Sequence, residues 1–194
     1  RILRKVPRWS LIVIIAGANL LTSSLNDLLQ MPLFLDTWAT AAGTMLGGLW
    51  IGVLGGVIYN LLMAAIFWGM NSWVWAFNSA IVALCTWFFW DRNLMSLTRP
   101  FALVACGFAV ALASTVSGIA IVNLADLPRN ASTLSLHNQI MELTGSVIVA
   151  DFGQQLLMES MDKIVSVVIA VIVVFAITEL KAETKPIAGK SLVG

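Results

Sequence analysis

The stretch PLFLDTWATAAGTMLGGLWIGVLGGVIYNLL, residues 32–62, decides the class of fold to which this chain belongs. It is almost wholly apolar and rich in glycine, and its only charged residue is Asp36. A transmembrane helix needs about 20 mostly apolar residues, so the stretch is too long for a single crossing. We predict two membrane helices, at 33–48 and 50–69, that are joined by a tight turn and form a hairpin.

The composition of the whole chain is that of a membrane protein. Of its 194 residues, 59% are hydrophobic and 11% are charged, and the mean hydropathy is +0.92. Soluble domains have about 45–50% apolar and about 25% charged residues. We therefore predict an all-α integral membrane protein with one six-helix domain, residues 1–180, and a cytoplasmic polar tail, residues 181–194. The four further membrane helices are predicted at 9–25, 73–90, 100–124 and 163–180.

The distribution of lysine and arginine predicts the orientation of this bundle. If both termini lie on one side of the membrane, nine basic residues fall on that side and two, Arg129 and Lys163, fall on the other. Cytoplasmic loops carry an excess of basic residues, so we predict that both termini are cytoplasmic. The long connection between helices 5 and 6, residues 125–162, then lies outside, where we expect one or two short helices over the outer mouth of the bundle.

Small residues at regular spacing indicate where the helices pack closely. Gly48, Gly52 and Gly56 recur at intervals of four along the second arm of the hairpin. Helices in lipid associate through small residues that let their backbones approach, so we expect close contacts there. Ala18 and Thr22 form a similar pair in the first helix and are a candidate contact with a partner subunit.

Several polar residues are predicted to lie near the outer ends of the helices. Asp36 allows two interpretations: an acid in the first turn of a helix stabilises the helix dipole, or its carboxylate lines an outer cavity together with Thr37. Asn78 lies one turn into the fourth helix at a similar depth. Asp162 and Lys163 are predicted to open the last helix from the outer side. Charged residues in a membrane usually face protein or water rather than lipid.

The sequence argues against several classes of function. It contains no P-loop, no zinc-peptidase motif and no recognisable catalytic set, so we expect no enzymatic activity, no metal and no cofactor. Cys85 and Cys106 lie in apolar segments without the spacing of metal ligands, and we expect them to be packing residues. A net charge of +1 offers no basic patch for nucleic acid. The pattern favours binding from the outer side by a chain with no energy source of its own.

These features resemble the substrate-binding S component of energy-coupling factor (ECF) transporters, a family of vitamin-uptake proteins. The resemblance covers residues 33–177. It rests on the glycine-rich hairpin, on AFNSAIVALCTWFFWDR at 76–92 and on MDKIVSVVIAVIVVF at 161–175.

The resemblance implies that the chain binds a small vitamin-like solute at the outer face of a bacterial or archaeal cell membrane. It implies three partners: a transmembrane coupling subunit and two cytoplasmic ATPases that supply the energy for uptake. The first helix would be the docking surface, although many members of the family have alanine at both positions of the pair formed here by Ala18 and Thr22. The substrate-binding residues that it implies are Asp36, Thr37, Trp38, Trp75, Asn78, Asp162 and Lys163.

A second interpretation stays open. Some bacterial sensor kinases begin with a similar helical module that perceives a ligand, and MreD-type rod-shape proteins have a similar helix arrangement and act as scaffolds. On this interpretation the chain is a sensing or scaffolding membrane module that works with a kinase or a cell-envelope protein. The proteins that accompany the chain in the membrane distinguish the two interpretations.

Overall fold

The computed structural model describes residues 7–29, 34–125 and 131–183. Within these residues the protein is all-helical, as predicted, and has no strand. A π-helical turn, Ala64–Trp68, and a short 3-10 helix, Met70–Val74, connect the third and fourth α-helices. The α-helices of this part of the chain are α1 (Arg8–Leu29), α2 (Trp38–Gly47), α3 (Leu49–Met63), α4 (Trp75–Asp91), α5 (Pro100–Leu124), α6 (Ala131–Thr144) and α7 (Val147–Glu183).

Five stretches of the described chain are long and apolar enough to cross a membrane, which supports a multi-pass helical membrane protein. The predicted boundaries agree best at α5, which begins at Pro100 and ends at Leu124. Proline is favoured in the first turn of a helix because its missing N–H would have no partner there. The five stretches are Arg8–Asn26, Leu49–Trp68, Met70–Asp91, Pro100–Leu124 and Val147–Glu179.

The prediction of a full membrane span at 33–48 is wrong in length. The helix at this place, α2, has 10 residues, which corresponds to about 15 Å at 1.5 Å per residue. The hydrocarbon core of a bilayer is about 30 Å thick, so α2 covers about half of it. Residues 34–37 before α2 are not helical, and Leu35 has a φ of 47°. The stretch 33–48 as a whole is apolar, but its hydropathy does not show which of its residues are helical.

The predicted start of the last helix, at residue 163, is also wrong. α7 has 37 residues and begins at Val147, so Asp162 and Lys163 lie near its middle and not at its outer end. The first turns of this helix contain many polar residues, and for this reason they were predicted to belong to a loop. α6 supplies the short helix that was expected in the outer connection, and it packs against α7. Of the predicted polar tail, residues 181–183 continue α7, and 184–194 lie outside the described residues, as does Arg129.

Contacts between side chains show how the helices run. Asp36, just before α2, contacts Lys163. Ala42 and Met45 within α2 share a buried cluster with Val167 and Val174 further along α7, so α2 runs parallel to α7. α2 therefore begins beside the middle of α7. α5 runs antiparallel to α7 along their shared contact. α1 runs antiparallel to α2, so the start of α1 and the end of α7 lie at the same end of the bundle.

Close contacts at glycine hold the helices of the hairpin together and against their neighbours. A Cβ atom at Gly56 would lie 2.8 Å from the Cβ of Ser79 in α4, and one at Gly43 would overlap the side chain of Ile15 in α1. The glycines therefore stand where a larger residue would force two helices apart. The close packing expected from the spacing is confirmed at Gly52 and Gly56. It is wrong at Gly48, which lies in the turn between α2 and α3 with a φ of 98° and has no atom within 4 Å of an added Cβ.

We expect Gly107→Ala in α5 to destabilise the bundle by about 1–3 kcal/mol, the usual effect of overpacking a close contact. The added Cβ would lie 2.9 Å from the Cα of Ile164, a backbone atom of α7 that cannot rotate away. Thermal unfolding of the purified protein, followed by tryptophan fluorescence, measures the change. The control is Gly17→Ala in α1, where no atom lies within 4 Å of the added Cβ. Equal melting temperatures for the two variants would contradict the close α5–α7 contact.

Candidate functional site

A cavity of about 520 Å³ opens between α3, α4, α5 and α7 and reaches the start of α2. Small-molecule sites typically have volumes of about 300–1,000 Å³. One end of the cavity is bordered by Asn123 and Asp151, near the end of α5 and the beginning of α7. The other end is formed by Asp36 and Lys163, beside the middle of α7. The cavity therefore runs from one end of the bundle to about half its depth.

The floor of the cavity is the non-helical segment 34–37 that precedes α2. Non-helical backbone at membrane depth is tolerated where it is buried in protein or lines a water-filled cavity. Both backbone polar groups of Leu35 are bonded: its N–H donates to Asp162 Oδ1 (2.6 Å) and its carbonyl accepts from Thr22 Oγ1 (2.9 Å). These bonds hold Leu35 at a positive φ, which is uncommon for residues other than glycine. Side chains of α1 and α7 thus fix the position of Asp36.

The N-terminus of α2 is capped from another helix. Thr37 stands at the N-cap position but makes no side-chain hydrogen bond to the helix. Instead the buried Asn19 of α1 accepts from the N–H of Ala39 (3.1 Å) and donates to Thr40 Oγ1 (2.8 Å). Asp36 precedes the helix, and the first turn of α2 contains no acidic residue. The interpretation of Asp36 as a first-turn acid is therefore wrong.

Deep in the cavity, one lysine is surrounded by three carboxylates. Lys163 Nζ lies 2.6 Å from Asp162 Oδ2, 3.2 Å from Asp36 Oδ1 and 3.4 Å from Glu159 Oε2. The side chain of Asp36 is 21% exposed, whereas Glu159 and Asp162 are almost wholly buried. Ionisable residues within membrane helices are rare, are usually paired and often mark a functional site. The cluster joins α2 to α7 and leaves Asp36 as its most accessible carboxylate.

A chain of hydrogen bonds continues from this cluster to α4. Ser114 Oγ of α5 donates to Glu159 Oε2 (2.7 Å) and accepts from Asn78 Nδ2 (3.0 Å). Asn78 Oδ1 accepts in turn from Ser117 Oγ (2.6 Å), and Gln155 Nε2 donates to Glu159 Oε1 (3.1 Å). The two serines therefore fix the orientation of the Asn78 amide in the wall of the cavity.

Aromatic side chains form another part of the wall. Phe34, Trp68 and Trp75 all line the cavity. Trp68 packs edge-on against the buried Tyr59, with ring centroids 6.5 Å apart, and the indole of Trp75 occupies the space beside Gly118. Aromatic rings beside polar groups suit ligands with a flat or a positively charged part.

The structure brings five of the seven predicted substrate-binding residues together around this cavity. The two others lie behind it: Trp38 Nε1 donates to Thr22 Oγ1 (3.1 Å), and the fully buried Asp162 supports Lys163. Their part in binding a solute stays a prediction. The five residues that line the cavity are Asp36, Thr37, Trp75, Asn78 and Lys163.

The candidate partner contact on α1 is turned towards the rest of the chain. Thr22 Oγ1 is bonded to the backbone of Leu35 and to Trp38, and Ala18 packs beside the apolar cluster between α1, α2 and α3. The outward side of α1 carries large apolar side chains such as Val13 and Leu21. A docking role for α1 stays a prediction.

Residues of α7 before Lys163 were missed because they were assigned to a loop. Asp151, Gln155, Glu159 and Lys163 recur at intervals of four and all line the cavity. This spacing places them on one face of a helix. It is the signal that would have found them once the helix was extended to its true start. Also missed as cavity residues were Asn60, Ser79 and Gln154.

A contact between α6 and α7 lies at the wall of the cavity. His137 Nε2 of α6 is 3.0 Å from Asp151 Oδ1, and Asp151 lines the cavity. The short helix α6 is thus attached beside the end of the cavity that lies furthest from Lys163.

Within residues 7–29, 34–125 and 131–183, no group of three or more His, Cys, Asp or Glu side chains is placed to hold a metal ion. Comparison of the chain with known protein families, curated proteins and solved structures found no match.

Proposed function

We propose that this protein captures a small solute from the outer side of a cell membrane for uptake by an ECF-type transporter. The observation that carries the proposal is a cavity of about 520 Å³ whose floor is the non-helical start of a half-length helix. Discontinuous helices that begin near the bilayer midplane are a recurrent way for transport proteins to build solute sites. The polar and aromatic lining adds to this support.

The side from which the solute enters follows from the helix directions and the basic residues. The cavity lies towards the end of α5 and the start of α7, opposite the end where α1 begins and α7 finishes. Among the described residues, Arg8, Arg92 and Arg99 lie at that opposite end, at the start of α1, after α4 and before α5. The positive-inside rule assigns such an end to the cytoplasm. The cavity then opens outward, and transport energy comes from a transmembrane coupling subunit and two cytoplasmic ATPases.

Purification of the native protein tests this proposal directly. The protein is crosslinked in its membrane and isolated, and mass spectrometry identifies both the associated proteins and any retained small molecule. We expect a membrane coupling subunit, an ATPase pair and a bound vitamin-like compound. A kinase or a cell-envelope protein together with an empty cavity would overturn the proposal in favour of a sensing or scaffolding module.

We expect Trp75→Leu to weaken binding of the retained solute about tenfold or more, because the indole in the cavity wall supplies both contact area and an aromatic face. Isothermal titration calorimetry on the solute-free protein measures the dissociation constant. The matched control is Trp87→Leu on the same helix, since Trp87 is 37% exposed and lies outside the cavity wall. Equal affinities for the two variants would remove Trp75 from the site.

A further inference from the structure

The charges clustered at the deep end of the cavity are unbalanced. Around Lys163, the carboxylates of Asp36, Glu159 and Asp162 share one ammonium group. Three negative charges against one positive charge leave a net charge of −2 when all four groups are ionised. Unpaired charge is costly away from bulk water. The cluster therefore favours the arrival of further positive charge.

Lys163 is occupied by its neighbours and offers little to an anion. Its ammonium group has three N–H donors, and three carboxylates lie within 3.4 Å of Nζ. A solute carboxylate or phosphate would have to displace one of them and would face the others. An anionic group at this end of the cavity is disfavoured on both counts.

Asp36 offers the accessible acceptor of the cluster. Among the described residues its hydrogen bond runs from Lys163 to Oδ1, which leaves Oδ2 for a ligand. Its side chain is 21% exposed and lines the cavity. Asp162, in contrast, uses one oxygen for the Leu35 N–H and the other for Lys163.

A second observation at the same place points to a ligand. The Thr37 side chain lines the cavity and is 2% exposed, and its hydroxyl has no hydrogen-bond partner within the described part of the chain. A buried hydroxyl without a partner is unfavourable. A hydrogen-bonding group of a bound solute beside Asp36 would satisfy it.

The aromatic side chains in the wall of the cavity also suit a positively charged solute. Phe34 and Trp75 line the cavity that holds Asp36 and Lys163. The face of an indole ring attracts a positive charge within about 6 Å of its centre, and it also stacks on a flat ring. Carboxylate oxygen and aromatic faces together are the usual surroundings of a bound organic cation.

We propose that the solute is an organic cation whose ammonium, amidinium or quaternised ring nitrogen is bound by Asp36 with Thr37 beside it, and whose flat part rests against Trp75. This inference rests on the proposed function and narrows the class of solute. A bare metal ion fits less well, because Lys163 occupies the point on which the three carboxylates converge.

Three flat probes of nearly the same shape and different charge test the inference: benzamidine, benzamide and benzoate. The full chain is purified in detergent, and binding is measured by saturation-transfer NMR and by the shift in melting temperature with each probe at millimolar concentration. We expect binding in the order benzamidine, benzamide, benzoate. We expect Asp36→Asn to weaken benzamidine about 10- to 150-fold, the range for losing a hydrogen bond to a charged group. The matched control is Asp91→Asn. Asp91 is exposed and lies at the end of α4 that is away from the cavity, so its replacement should leave the affinity for benzamidine unchanged.

The remaining outcomes show whether only the selectivity for organic cations fails or whether the proposed capture of a solute fails as well. If benzamide or benzoate binds as well as benzamidine and Trp75→Leu abolishes that binding, the cavity binds solutes but does not select cations, so only the present inference fails. If no probe binds, the inference is judged by the net charge of the solute that is retained by the native protein. A cationic compound supports the inference, and a neutral or anionic compound overturns it. If no probe binds and no solute is retained, the proposed function fails as well.

Discussion

Lys163→Gln is expected to destabilise the protein by about 3–5 kcal/mol, the usual loss when one partner of a buried ion pair is removed. The variant leaves Asp36, Glu159 and Asp162 facing one another without the ammonium group that lies between them. Thermal unfolding in detergent, followed by the fluorescence of the eight tryptophans, measures the effect. Because the cluster joins α2 to α7, we also expect α2 to become more accessible to protease.

The double variant Lys163→Gln, Glu159→Gln separates electrostatics from packing. It removes one carboxylate together with the lysine, so we expect it to regain part of the lost stability. Coupling between residues in one network is commonly about 0.5–3 kcal/mol. Arg99→Gln removes an exposed cation and should change stability by less than about 0.5 kcal/mol. The account of the cluster is wrong if Lys163→Gln has the same melting temperature as Arg99→Gln. It is also wrong if the double variant has a lower melting temperature than Lys163→Gln.

Asp162→Ala is expected to have the second largest effect, about 2–4 kcal/mol, because it leaves the Leu35 N–H without its acceptor and removes one of the hydrogen bonds of Lys163. Asp162 Oδ1 accepts from the Leu35 N–H at 2.6 Å, and Oδ2 accepts from Lys163 at 2.6 Å. Without the first bond, the segment 34–37 loses the anchor that holds Leu35 at its positive φ. We therefore expect loss of solute binding as well as a lower melting temperature.

Asp162→Asn is the matched variant for this prediction. An asparagine keeps a carbonyl oxygen for the Leu35 N–H, but its NH2 group replaces the oxygen that accepted from Lys163, so Lys163 keeps only Asp36 and Glu159 as partners. We expect it to retain part of the stability that the alanine variant loses. Equal melting temperatures for the Ala and Asn variants would show that the bond to Leu35 does not hold the floor of the cavity.

The fold class and several helix boundaries could be read directly from the sequence. α5 was predicted at residues 100–124 and is observed there, because a proline and a run of apolar residues delimit it. The contacts at Gly52 and Gly56 were also predictable, since their spacing of four is a local property of one helix. The same reasoning failed at α2 and α7, where hydropathy and helix content do not coincide.

Only part of the candidate site could be found in the same way. Asp36 and Asn78 stood out as polar residues in apolar surroundings, and both line the cavity. Glu159 and Gln155 did not stand out, because they were assigned to an outer loop. Asn19 could not be recognised as the cap of α2, since nothing in the sequence shows which helix start it faces.

The sequence by itself determined the all-α class, the presence of several helices long and apolar enough to cross a membrane, and close packing at some glycines. Apolar length and small-residue spacing are properties of neighbouring residues. The tertiary structure decided that α2 is a half-length helix and that its start, with Asp36, forms the floor of a cavity. That start is held by Asn19 of α1 and by Asp162 of α7, the second of which is separated from Leu35 by 127 residues in sequence. Contacts over such distances depend on how whole helices pack, and no local pattern encodes them.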